Sequence, residues 1–101
     1  MRLVLCNATP EQAPELARAL VGEGLAACVN LVPVRSVYRW EGAVHDEPEV
    51  TLWIKVPLEK VDAVRERVLA LHDYDLPEIV VVPVDVEASH GPYVEWVRGT
   101  G

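Results

Sequence analysis

One stretch decides the fold: Ala26 to Trp40, "AACVNLVPVRSVYRW". It reads as strand from end to end, and at ~3.3 Å per residue such a run extends to about 50 Å. A compact domain of this length has a radius of gyration of only ~13 Å, so the strand overruns the body that carries it. Pro33 cannot donate to a ladder and marks an edge position, a bulge or a bend. Beyond it, Val34, Ser36, Tyr38 and Trp40 fall on one face, and Arg35, Val37 and Arg39 on the other. A free two-stranded hairpin is marginal in water, and this arm is aromatic enough to need cover. Two solutions follow. A second copy of the chain pairs with it in a closed symmetric assembly, or Pro33 folds the strand back over its own sheet.

The elements on either side are short and well punctuated. "RLVLCNA" (Arg2 to Ala8) is an apolar strand, and "TPEQ" behind it predicts a helix start, with Thr9 as N-cap, Pro10 at the first helical position and Gln12 closing a capping box. Ala13, Leu16, Ala17, Leu20 and Val21 recur at helical spacing until Gly22 and Gly24. After Trp40, "EGAVHDEP" predicts a polar hairpin loop. The return strand is "EVTLWIKV" (Glu49 to Val56), with Thr51, Trp53 and Lys55 on the face opposite Val50, Leu52, Ile54 and Val56. A second helix is expected over Leu58 to Leu71, a last strand over Glu78 to Val86 with Pro83 as a bend or edge marker, and a short terminal helix at "GPYVEWV". The order βαββαβ predicts an α+β, ferredoxin-like sandwich, its two helices on one face of a four-stranded antiparallel sheet. With 101 residues, a single domain is expected over 1–101.

Charge and composition remove several classes of function. Sixteen acidic against nine basic side chains give a net charge of -7, the wrong sign for a nucleic acid or an anionic membrane surface. No apolar run reaches the ~20 residues of a membrane span, and the start turns polar and acidic before a signal-peptide core is complete; a cytoplasmic location is expected. Two cysteines do not make a disulfide scaffold. In the ferredoxin-like order the strands of Cys6 and Cys28 are not neighbours, which also separates the thiols. Enzyme signatures are missing: there is no Gly-rich phosphate loop, no nucleophile elbow and no histidine pair at metal-ligand spacing. The expected protein is not an enzyme.

Among candidate site residues, Cys6 reads from its apolar strand as a small core hydrophobe. His72, at the end of the second helix, is placed to meet exposed carbonyls. "HDYD" (His72 to Asp75) gathers an imidazole and two carboxylates, a solvated acidic turn or a weak cation site. Lys55, the one cation in its strand, is open to pairing with Glu49. His45 and His90 have no partners at ligand spacing.

Across "EGLAACVNLVPVRSVYRWEG", "EVTLWIKV", "HDYDLPEIVVVPV" and "YVEWV" the chain resembles the CutA1 divalent-cation tolerance family, over nearly its whole length. The resemblance implies a homotrimer of PII-like architecture in which the hairpin carrying Tyr38 and Trp40 clasps neighbouring subunits. It implies copper or another divalent cation as ligand, held by Cys6 and His72. Leu71 stands where relatives place a further histidine and Asp73 where they place a proline, so any copper is weakly bound. A PII-like trimer also offers a cleft between subunits, where Lys55, Tyr93 and Trp96 would take a small anionic ligand.

Overall fold

The computed structural model describes residues 1–100. The sheet contains β1 (Arg2–Ala8), β2 (Cys28–Trp40), β3 (Ala43–Val56) and β4 (Val80–Pro83), in the order β2-β3-β1-β4 with antiparallel neighbours. Helices α1 (Ala13–Gly22) and α2 (Val61–Leu71) pack on one face of it, and α3 (Gly91–Thr100) closes the described chain. A 3-10 turn, Leu58–Lys60, leads into α2, so the second helix begins as a tighter spiral than its periodicity predicts. This is the ferredoxin-like α+β fold.

Strand parity separates two faces. Val4, Cys6 and Ala8 of β1 and Leu52, Ile54 and Val56 of β3 point at the helices and meet Leu16, Leu20, Val64 and Val68, all buried. Full burial of such a side chain contributes about 1.5–3 kcal/mol, so this layer carries most of the fold's stability. The opposite face holds Leu3, Leu5 and Asn7 across from Lys55, Trp53 and Thr51. There α3 covers one end through a small cluster of Met1, Ala27, Val94 and Val97, while Trp53, Val80 and Trp96 stay exposed.

The hairpin differs from its sequence reading in an instructive way. The expected polar loop "EGAVHDEP" is not a loop: only Glu41 and Gly42 turn, with φ of 50° and 79°, and β3 starts at Ala43. Two successive left-handed residues make the primed turn whose twist matches that of paired strands. Pairing then runs without a skipped residue from Trp40↔Ala43 to Cys28↔Lys55. Of the three readings of Pro33, the edge position holds, because β2 is the edge strand. Pro48 is tolerated for a related reason: β1 ends at Ala8↔Val50, so β3 before that point has β2 alone beside it. Folding back at Pro33 is thereby excluded, and the arm stretches the molecule to 44 × 27 × 20 Å.

The last strand is shorter than expected. Val80–Pro83 pairs with β1 as far as Arg2↔Pro83, where the proline ends the ladder, and the flanks that looked extended, Glu78 to Ile79 and Val84 to Val86, lie outside it.

Candidate functional site

The chemistry-bearing side chains gather where β1 ends, α2 ends and the hairpin leaves the sheet. Cys6 is fully buried in the helix-facing layer, and its Sγ approaches the Asn7 carbonyl at 3.7 Å. Burial, with Glu78 and Glu49 adding negative potential, pushes the thiol up to about 12, so it is protonated at neutral pH and inert as a nucleophile. His72 reaches the same carbonyl: its Nε2 lies 2.8 Å from Asn7 O, and its Nδ1 accepts the Tyr74 amide at 3.1 Å. With Nδ1 accepting, Nε2 carries the proton and donates. The structure therefore brings Cys6 and His72 together at one carbonyl, with both imidazole nitrogens already engaged. Among the described residues no group of three or more His, Cys, Asp or Glu is placed to hold a metal ion.

The segment after α2 is tied down by a residue read for another purpose. Thr9 Oγ1 does accept the Gln12 amide at 3.1 Å, but the Gln12 side chain does not return to Thr9. It crosses to α2, where Nε2 donates to Leu71 O at 2.7 Å and Oε1 accepts the Asp73 amide at 3.2 Å. A buried glutamine thus supplies partners for an orphan helix carbonyl and for the Asp73 amide just beyond the helix.

Above these residues lies a groove of about 610 Å³ between the hairpin and the segment 73–78. Its lining includes five carboxylates, from Glu47, Glu49, Asp73, Asp75 and Glu78, and the rings of Tyr38, Trp40 and Tyr74. Tyr74 donates to Glu49 at 2.6 Å, and Tyr38 donates to Glu47. The hydrogen bond to Glu47 lifts the Tyr38 phenol to about 12, while burial, then the bond to Glu49, lifts that of Tyr74. Glu78 is raised as well, by burial first and by Glu49 second. Sequence reasoning saw "HDYD" and the hairpin aromatics but not that β3, once extended to Ala43, carries Glu47 and Glu49 between them. The signal was the unbroken parity Ala43, His45, Glu47, Glu49, Thr51.

At the other end of the open face, Lys55 donates to the Asn30 amide oxygen rather than to Glu49. Glu49 is six positions along the strand, about 20 Å away at ~3.3 Å per residue. Tyr93 stands beside Cys28, the residue opposite Lys55, and meets Trp96 with their rings tilted at 35° and 5.6 Å between centroids. Tyr93 and Lys55 thus flank Cys28, and Trp96 joins them through Tyr93. His45, expected in a loop, lies in β3 and stacks on Tyr38 at 5.2 Å.

A ferredoxin-like sheet with one open face and a projecting hairpin defines a PII-like protein. The chain superposes on the PII-like protein CutA from Nostoc sp. PCC 7120 with a TM-score of 0.96 and 45% identity, over 100% of this chain and 98% of that one. The divalent cation tolerance protein of Thermus thermophilus superposes with a TM-score of 0.90 and 41% identity, over 99% and 98% of the two chains. The chain belongs to the CutA1 family, whose pattern, described as "CutA1 divalent ion tolerance protein", matches residues 2–100. Among curated relatives, the Thermus thermophilus divalent-cation tolerance protein CutA is 44% identical over 87% of this chain and 84% of its own length. The human protein CutA is 41% identical over 85% of this chain, and the match spans about half, 48%, of that longer protein. The family description and the names of the Thermus thermophilus relatives speak of tolerance rather than of an enzymatic reaction, and no helix among the described residues is long and apolar enough to cross a membrane.

Proposed function

We propose that the chain is a non-enzymatic, homotrimeric binding protein of the cytoplasm that serves in tolerance of divalent cations, copper among them. The observation that supports a metal role is the convergence of Cys6 Sγ and His72 Nε2 on the Asn7 carbonyl, which juxtaposes a soft thiol and an imidazole, the donor types copper favours. As folded, these groups do not make a resident copper centre. The thiol is held protonated, and the imidazole is spent on backbone partners. Affinity at such a pair is low, because the bonds already made there compete with any metal. Replacing Cys6 and His72 by alanine together is expected to weaken copper binding about tenfold or more, the lower range for disturbing a metal's surroundings, while the sedimentation coefficient stays the same. A copper titration identical to that of the parent would remove both residues from the proposal.

A second reading is favoured by Lys55, which the structure holds on a neutral amide and not on a carboxylate. Its charge is therefore available to a small anion that binds beside Tyr93 and Trp96 in a PII-like cleft. A panel of small phosphorylated and carboxylated metabolites tests this by thermal shift. A ligand present at 100 times its Kd stabilises by about 2.7 kcal/mol, and Lys55→Ala is expected to abolish that shift. A panel without a single hit on the parent protein ends this reading.

A further inference from the structure

We infer that Asn30 is the specificity-determining residue of the cleft around Lys55: the two side chains together hold the carboxylate of a small monoanion, Nζ taking one oxygen and the Asn30 Nδ2 the other. This rests on the PII-like cleft reading above and supplies its recognition chemistry. Cys28 lies opposite Lys55, and Asn30 lies opposite Trp53. Strand parity therefore puts all four side chains on the open face of the sheet, and none of them belongs to the projecting arm.

The amide oxygen of Asn30 is engaged twice. It accepts from Lys55 Nζ and, at 3.9 Å, from Cys28 Sγ. Those two donors fix which way the amide faces, because turned over it would set its own N–H groups against an ammonium and a thiol. Nδ2 then has no partner among the described residues, and Asn30 is exposed. Lys55 in turn takes part in none of the ion pairs of those residues. An aspartate at position 30 would hold the ammonium as closely and cancel its charge. Asparagine holds it and leaves the charge whole, with an N–H donor beside it. That pairing complements an oxyanion, since hydrogen bonds to a charged acceptor are the strong ones.

The surroundings set the charge of the ligand. Trp53, 43% exposed, stands next to the pair, and Tyr93 and Trp96 lie beyond Cys28. These are neutral rings and bring no further cation. One ammonium matches one negative charge, so a carboxylate is fully compensated where a phosphate dianion would be left half unmatched.

Cys28, half-buried beside the pair, is a built-in reporter, whereas Cys6 is fully buried and protonated. Iodoacetate and iodoacetamide alkylate the same thiolate: an S–C bond forms, the C–I bond breaks, iodide leaves and the thiol proton passes to buffer. One reagent carries a carboxylate and the other a neutral amide, so the ratio of their rates on native protein cancels the thiolate fraction and reads the preference for an anion. At fixed pH and ionic strength, Asn30→Asp is expected to lower the iodoacetate-to-iodoacetamide ratio about tenfold, Lys55→Met by a similar factor, and Asn30→Ala, which removes only the amide donor, roughly threefold. Asn30→Asp should also melt no lower than the parent, because Lys55 gains a charged partner; a purely structural role would move both readouts down together. Ala70→Glu, exposed on α2, changes the net charge equally and should leave the ratio unchanged. The assignment is overturned by an Asn30→Asp ratio within twofold of the parent, by a melting point well below it, by an equal fall in Ala70→Glu, or by a Cys28 that neither reagent reaches. A metabolite hit whose thermal shift survives Asn30→Asp ends this inference and spares the cleft reading, while a panel without a hit ends the cleft reading and leaves the ratios to decide the chemistry of the pair.

Discussion

Replacing Tyr38 and Trp40 by alanine together is expected to turn a trimer into single chains at micromolar concentration. From Ala43 to Glu49, β3 has only β2 beside it, so this arm is a bare two-stranded ribbon, which is marginal in water by itself. It nevertheless carries apolar surface on both sides: Val37 and Val44 are 66% and 65% exposed, and Tyr38 and Trp40 on the other face are about two-fifths exposed. The bidentate Arg35–Asp46 pair, at 2.6 and 2.9 Å, braces the ribbon without covering it; being solvent-exposed, such a pair is worth little. Sister subunits are the proposed cover. Aromatic anchors buried at the centre of an interface cost roughly 2 kcal/mol or more each when truncated to alanine, so the pair removes about 4 kcal/mol per interface, near a thousandfold in affinity. Sedimentation velocity of parent and variant over a dilution series measures this directly. A parent that sediments as a folded single chain contradicts the assembly outright, and a variant that stays trimeric moves the interface off the hairpin.

What the sequence disclosed and what it concealed divides along physical lines. Period-2 and period-3.6 patterns placed β1, α1, the core of β3 and α2, because those elements bury one face against a shared core and burial leaves its mark on residue type. The hairpin's true length was hidden. Polar residues in "EGAVHDEP" are equally natural in a loop and on a ribbon that lies outside the core, and only backbone conformation at Glu41 and Gly42 separates the two. β4 was overestimated for the converse reason: Val84 and Val86 are apolar because they pack against the α3 cluster, not because they pair. The acidic groove was concealed by the same error as the loop, since Glu47 and Glu49 acquire a common direction only once they belong to a strand. Cys6 and His72 were legible as candidates, but their meeting point is a backbone carbonyl, which no sequence pattern announces.

Gln12 carries the other large effect, and it tests how the site is held. The Thr-x-x-Gln pattern predicted reciprocal capping, but the side chain spans from the start of α1 to the end of α2. Gln12→Ala leaves the Leu71 carbonyl and the Asp73 amide without those partners. At about 1–3 kcal/mol for each of the two groups in a buried setting, the expected loss is about 2–6 kcal/mol, read by urea denaturation at fixed protein concentration. Gln12→Glu separates the two bonds. The glutamate still accepts from Asp73 but, once ionised, faces the Leu71 carbonyl with no proton to donate. Burial and that carbonyl both disfavour the charge, so the folded-state pKa rises above the ordinary ~4.3 of glutamate. A group raised on folding contributes its stability below the unfolded pKa and loses it as pH climbs through the folded one. Gln12→Glu should therefore approach the parent's stability at pH 4 and fall toward Gln12→Ala by pH 8, with Gln12→Ala tracking the parent's own pH dependence at a constant offset. If the two variants instead run parallel across that range, the Leu71 bond is not what holds the end of α2, and His72 owes its place on the Asn7 carbonyl to its own hydrogen bonds alone.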